Sequence, residues 1–456
     1  MAANQDFTGF NSQADALYNS EKLSKVLQIL YTQSTFLQIS EEHKEYEMIK
    51  KKKASNQNAR SVNFMLKLNY GASAVGASGT GEFKFKDQDQ SLLEEKAAVF
   101  KQKTSTIGIS YSLLKRAKTA PVFSNPFKEE VESKSVIQKR LMASEVHRDG
   151  SAVIGVVSAH TTGAADSEIE VTFTSDSNGN ERHVEYGDKL VIKASADGSD
   201  SVSGLVVTVT DKVRETNTIK GTISAAVAAD ELDGGVVFRQ ADTTDFVGNA
   251  DFKACLDANA SGAGVAIDQV SLNLVGFESL YSADGRKVHE ITMSGITAGT
   301  EYDNAGALID LDSLYGALDK VKIRNGRSAA KWTQLLAANE TLRSIIDGQE
   351  TDRRLVSPTD NSRGFSGFSY VHDNSKLEMG TTEYVFADRI WSMPEGEGVC
   401  EMWGKDFEEV EIGGQREFMA LSGGERVAGM RKYFCGYCTY LSRRPSLVLK
   451  IKNFTV

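Results

Sequence analysis

Proline is scarce in this sequence, five residues in 456 against 39 glycines. A chain so poor in proline has little rigid linker, and its many glycines point to turns and strands. Cysteine is scarce too. Four in this length, two of them close together, make no disulfide framework and fit a reducing compartment. The six histidines are scattered, with no His-x-His or His-x-x-x-His pair, and there is no Gly-x-Ser-x-Gly elbow. No run approaches the roughly 18 apolar residues that a membrane-spanning helix needs. The start, MAANQDFTGF, has neither a charged n-region nor an apolar h-region. The expectation is therefore a soluble intracellular product without a signal peptide. A net charge of −10 argues against a dedicated nucleic-acid-binding face, which would need clustered cations. With 40% hydrophobic and 25% charged residues, the chain can bury a large core and divide into two or three domains.

The most informative stretch is LIDLDSLYGALDKVKIRNGRSAAKWTQLLAANETLRSIIDG, from Leu308 to Gly348. Leu311, Leu314, Leu318 and Val321 form one apolar helical stripe. Asp310 and Asp312 stand at its start and Lys320 and Lys322 at its end, each sign suited to the helix dipole. Asn325-Gly326 turns the chain, and Trp332 to Ala337 reads as a short buried strand. Asn339 can cap a second helix bearing Leu342, Ile345 and Ile346, with Gly348 as its stop.

Taken in order, residues 20 to 50 form an amphipathic helix with Leu23, Val26, Leu27, Leu30, Tyr31 and Leu37 on one side. The run Lys50 to Lys53 ends it, either as a solvated helix end or as a basic contact surface. From Ser61 to Tyr111, Phe83 and Phe85 alternate with Lys84 and Lys86, and Ile107, Ile109 and Tyr111 alternate at the far end. Two strand-like ends around a polar middle suggest a long hairpin, which cannot bury itself in water and should lie on another molecule. Asn125-Pro126 opens a helix from Phe127 to Arg148, with a broad face of Val131, Ile137, Leu141, Met142 and Val146. Beyond Asp149, apolar residues alternate in short runs: Ile169, Val171, Phe173; Leu190, Ile192; Leu205, Val207, Val209; Ile219, Ile223. Asn178-Gly179, Gly187-Asp188, Asp197-Gly198 and Asp233-Gly234 separate them, which predicts five to seven strands in a small barrel or sandwich. A Gly- and Ala-rich connector containing Gly276-Phe277-Glu278-Ser279-Leu280 follows. The tail from Tyr384 reads as a strand ladder: Val385 to Trp391, Phe407 to Ile412, Arg431 to Tyr440, then Leu447, Leu449 and Ile451.

Four motifs imitate chemistry. Gly76 to Gly81 is glycine-rich, but no Gly-Lys-Ser/Thr follows to hold a phosphate. Asp87, Asp89 and Ser91 begin like a calcium loop, yet Leu92 and Ala98 stand where glycine and glutamate are required. Leu421-Ser422-Gly423-Gly424-Glu425 copies the signature loop of ABC-type ATPases without any P-loop, so a glycine turn between strands is the better account. Cys435-Gly436-Tyr437-Cys438 has redox or zinc spacing, but residues three apart on a strand face opposite sides. Only the isolated Cys255 and Cys400 remain as further thiol ligands, so buried thiols are the expectation.

These elements in this order resemble the major capsid proteins of tailed phages. YGDKLVIK, LVVTVTDKV and TNTIKGTI are similar to the insertion domain many of them carry, and RRPSLVLKIKNFTV to the final strand of their peripheral domain. The resemblance implies an α+β Hong Kong 97-type capsid fold with an inserted β-barrel or sandwich. Its parts would be an N-terminal arm (1–60), an extended loop (61–111), a peripheral domain with the spine helix (112–149) and the insert (150–245). The axial domain with its connector (246–383) and C-terminal strands of the peripheral domain (384–456) would complete it. It also implies self-assembly as hexamers and pentamers into an icosahedral shell around double-stranded DNA held non-specifically. Portal, scaffolding and cement proteins would be its partners, without membrane, metal, cofactor or catalysis. The location would be the virion capsid, assembled in the host cytoplasm. Phe83, Lys84, Phe85, Lys86, Ile107 and Ile109 would touch the neighbouring subunit. An encapsulin-like compartment shell is the alternative within the fold, though such shells usually lack the insert. A β-rich adhesin or tail protein would explain 150–245 but not the helices.

Overall fold

The computed structural model describes residues 49–53, 61–67, 93–110, 137, 140–174, 180–240, 250, 253–254, 256–257, 266–270, 273–281, 287–289, 291–292, 301–325, 332–350, 368–372, 375–394, 400–409, 418–422 and 425–455. Contacts divide the chain into a smaller unit (1–42, 102–142, 404–438) and a larger one (43–101, 143–403, 439–456). No helix among the described residues is long and apolar enough to cross a membrane.

Within the larger unit, the alternating stretch beyond Asp149 forms six strands. They are β1 (Val153–His160), β2 (Glu168–Phe173), β3 (Lys189–Lys193), β4 (Val207–Val213), β5 (Thr218–Ile223) and β6 (Val236–Arg239). They close into a barrel in the order β6-β1-β2-β5-β4-β3. Closure leaves no open sheet edge and decides for a barrel over a sandwich. Ile169, Val171, Phe173, Leu190, Ile192, Val207, Val209, Ile219 and Ile223 fill the interior. Their alternation puts every second residue inside. Gly187, Gly198 and Gly234 take positive φ angles of 83°, 73° and 73° at three of the predicted turns. Asn178-Gly179 lies outside the described residues. Val153 and Phe238 are register partners, so the chain enters and leaves the barrel side by side.

The second layer of this unit is a six-stranded sheet carrying two helices. Its strands are β7 (Glu301–Asp303), β8 (Trp332–Ala337), β9 (Phe368–His372), β10 (Ser375–Thr381), β11 (Arg389–Pro394) and β12 (Leu449–Lys452), in the order β7-β12-β11-β8-β10-β9. Helix α1 (Leu311–Asn325) starts where the Asp310 carboxylate accepts the Ser313 N–H at 2.7 Å. Those bonds from Ser313 hold the Asp310 carboxyl below its ordinary value. The α1 stripe of Leu314, Ala317, Leu318 and Val321 is buried with Leu335, Ile390, Leu449 and Ile451. Helix α2 (Asn339–Glu350) begins with Asn339 inside it, since the Ala338 carbonyl accepts the first helical bond, from Leu342 at 3.1 Å. Gly348 does not stop it. The helix runs on to Glu350, because one glycine costs a helix only about 1 kcal/mol.

Three expectations need correcting. The division expected at residue 384 does not follow the sheet, because β11 and β12 pair within the same layer as β8 and β7. Alternation in LVLKIK identified a strand but could not name its partners. Lys50–Lys53 is no helix end. It is a strand parallel to the start of Cys400–Glu409, with Lys50 opposite Cys400 and Lys53 opposite Trp403. Among the described residues it lies at the end of the strand order. Finally, the hairpin pairs Ser61–Lys67 with Leu93–Val99, not with the stretch around Ile107. In the smaller unit, Glu425–Leu441 pairs with both Lys101–Ser110 and Phe418–Ser422.

Candidate functional site

The six residues expected to touch a neighbour are not brought together within the described residues. Phe83, Lys84, Phe85 and Lys86 lie outside them. Ile107 and Ile109 belong to the strand Lys101–Ser110, which from Gln102 onward lies in the smaller unit. The described part of the hairpin is its base. Val62, Phe64, Leu66 and Ala98 are buried there, while Met65 is 51% exposed and Asn63 reaches Glu95 at 3.1 Å. One face of the base thus belongs to the subunit's own core, not to another molecule. Val62, Phe64 and Leu66 alternate in the sequence, and that pattern could have located the base.

The connector is a packed joint. Glycine is required at 276 because a Cβ there would come within 2.3 Å of the Arg148 and Glu145 carbonyl oxygens and 2.5 Å of that of Val146. The end of the helix through 140–147 therefore lies against this backbone. Ser279 donates its hydroxyl to the Asp149 carbonyl at 2.6 Å, and the Phe277 ring meets His147 and Trp391. Beside it, Glu278 accepts from Lys450 at 2.7 Å and pairs with Arg389 at 3.6 Å. Arg389 also binds Asp388, whose carboxyl burial pushes up despite that guanidinium.

The turn Asn180–His183 plugs the barrel into its host layer, and all four residues are buried. Arg182 donates to the Val385 carbonyl at 3.2 Å and pairs with Glu340 on α2 at 3.1 Å. His183 Nδ1 is 2.9 Å from the Ser144 hydroxyl, and its ring lies against Tyr384 and Phe386. From the barrel side, Arg239 donates to the His183 carbonyl and to Asp188. Sequence reading missed this plug, because charged residues in a loop usually signify solvent.

Burial, then the nearby Arg148, His147, Arg182 and Arg239, lower His183 well below the ordinary histidine value of 6.5. The folded state therefore favours the neutral ring. Stability from this site is complete above 6.5 and is lost as pH falls below it, where the unfolded chain binds the proton more readily. Unfolding midpoints should fall with acidification in the wild type and less steeply in His183→Gln. Identical slopes would rule His183 out as a source.

These clusters join structural layers. Among the described residues, no three His, Cys, Asp or Glu side chains gather as metal ligands. Cys438 is buried and Cys435 partly so, both on one strand and neither in a disulfide. Gln102 reaches Cys435 Sγ at 3.2 Å. The LSGGE stretch bridges two antiparallel strands, with Ser422 opposite Glu425.

No family model matches the sequence, and no curated protein does. The chain is similar to solved phage capsid structures. The cyanophage A-1(L) capsid asymmetric unit shares 7% identity over 91% of this chain and 93% of that one, with a TM-score of 0.48. The capsid of a native GTA particle shares 8% over 90% and 89%, with a TM-score of 0.42. The holo-SrpI encapsulin complex from Synechococcus elongatus PCC 7942 shares 9% over 88% and 85%, with a TM-score of 0.34.

Proposed function

We propose that this chain is the major capsid protein of a tailed double-stranded DNA phage. It builds hexamers and pentamers that close into an icosahedral shell around the genome. One observation carries the reading: the order of parts along the chain. A hairpin whose base has no third strand among the described residues is followed by a helix, a closed barrel, and the host layer resuming beyond it. A two-stranded ribbon is marginal in water, so a long one needs a surface to lie on. In a shell, that surface is the adjacent subunit. The barrel insert favours a phage shell over an encapsulin-like compartment. Portal, scaffold and packaged DNA are the partners this reading calls for.

The test is assembly. Purified protein should sediment as capsomers or shells, and negative-stain images should show closed particles. Replacing both Phe83 and Phe85 by Ala removes apolar area worth about 1.5–3 kcal/mol per fully buried ring. That loss repeats at every subunit contact. The double variant should keep a near-normal circular dichroism spectrum and stall as free capsomers. A stable, well-ordered monomer at micromolar concentration would defeat the shell reading. A double variant that assembles normally but melts as a subunit would place these rings in an internal sheet.

A further inference from the structure

We infer that the Asp268–His289 pair is a protonation-dependent clamp on the base of the hairpin. Both residues are about 1% exposed, and both lie in the larger unit. Asp268 sits in the short helix Ile267–Val270, and His289 follows the strand Lys287–Val288. The His289 backbone N–H donates to Asp268 Oδ1 at 2.9 Å. Its Nδ1 lies 3.1 Å from Asp268 Oδ2, and its Nε2 3.1 Å from the Tyr440 carbonyl oxygen.

A carboxylate and a peptide carbonyl only accept, so satisfying both contacts takes a proton on each ring nitrogen. A neutral imidazole has one N–H, and one of the two oxygens would then face a lone pair. The backbone of His289 is also held at φ 51°, a sparsely occupied region for a residue other than glycine. Its contacts therefore hold a conformation the chain would not choose alone. Burial by itself would raise the Asp268 carboxyl. The bonds and charge of His289, with Lys101, more than offset that and keep it below its ordinary value.

One leg of the hairpin and the residue just beyond the other meet this pair. From Ser61–Lys67, the Phe64 ring meets the His289 ring edge-on, with centroids 5.7 Å apart. Just past Leu93–Val99, the buried Lys101 ammonium donates to the Asp268 backbone carbonyl. Among the described residues, the Lys101 ammonium, the Tyr440 carbonyl and the Phe64 ring face this pair. With both ring protons present, the hairpin base is pinned at two points. Loss of one proton releases a bond at the centre of the pin. Only the consequence for a neighbouring subunit rests on the shell reading. There, the clamp would couple the attitude of the contact arm to pH.

Amide hydrogen exchange on the full-length protein tests the clamp. It is read at Ser61–Lys67 and Leu93–Val99, with the barrel strands as internal reference. His289→Phe keeps a ring for Phe64 but removes both donors, and Asp268→Asn keeps the size but removes the charge. Both should lose roughly tenfold protection at the hairpin, about the weight of one charge-assisted hydrogen bond, with the barrel unchanged. Raising the pH of the wild type should do the same after correction for intrinsic exchange, and His289→Phe should show no further response. Equal loss in hairpin and barrel would reduce the pair to ordinary structural residues and overturn the proposal, as would a wild type indifferent to pH. Should the variants fail to fold, the wild-type pH series decides alone. These readings do not depend on particles forming, so failure of the clamp and failure of assembly are distinguishable.

Discussion

Gly276→Ala should destabilise the larger unit by about 3 kcal/mol or more, the upper end for overpacking. The new methyl would meet three backbone carbonyl oxygens, at 2.3, 2.3 and 2.5 Å. Backbone at the end of a helix cannot swing aside as a flexible side chain can. To make room, the helix through 140–147 must back away from the connector, loosening Phe277 from His147 and Trp391. The same substitution at Gly316, on the exposed face of α1, meets only the Tyr302 hydroxyl, 3.8 Å away. There Ala should raise stability by about 0.5–1 kcal/mol, because it relieves the helix of glycine's conformational freedom. Urea midpoints measured side by side should move in opposite directions. A Gly276→Ala protein of wild-type stability would mean that the helix and connector are not in contact.

Arg182→Ala should cost about 3 kcal/mol at neutral pH, the low end for breaking a buried ion pair. The low end applies because Glu340 is 40% exposed and its share is screened. Most of the loss falls on Glu181, which is buried at 1% and 3.6 Å from Arg182. Burial raises the Glu181 carboxyl, and Arg182 is the largest influence holding it down. Without that guanidinium the folded-state value climbs further. An acid with a raised folded value favours the protonated form. Its penalty is small near the ordinary glutamate value of 4.5 and grows as pH rises through the folded value. The variant's deficit should therefore shrink in mild acid and widen at neutral pH. A deficit equal at both would show that Glu181 is not its source.

Local periodicity was legible in the sequence, and partnership was not. Leu314, Leu318 and Val321 announced α1, and the alternation from Ile169 to Ile223 announced the barrel strands. Each pattern is written within a dozen residues, where spacing alone decides which side is buried. Lys50–Lys53 fails on the same count. Its identity as a strand depends on Cys400–Trp403, some 350 positions away, and a charge run read alone looks like a solvated helix end. Ile107 and Ile109 do fall in a strand, but no spacing says that Glu425–Leu441 is its partner. Gly276 looked like loose linker because its reason lies in the carbonyls of another segment. Asp268, His289 and Arg182 escaped notice since charged residues are buried only where distant partners receive them. Phe83 to Lys86, outside the described residues, still await the assembly test.

The position of β12 has a consequence for the order of events during synthesis. Residues 449–452 form an interior strand, with Glu301–Asp303 on one side and Arg389–Pro394 on the other. Leu447, Leu449 and Ile451 complete the oily surface that α1 packs on. A nascent chain that has made residue 303 must wait roughly 7–30 seconds for these residues at ~5–20 residues per second. Until then the edge strand β7 has no neighbour to pair with, and α1 has no finished bed. Translation thus acts as a timer: until residues 449–452 have been made, the chain cannot complete this layer.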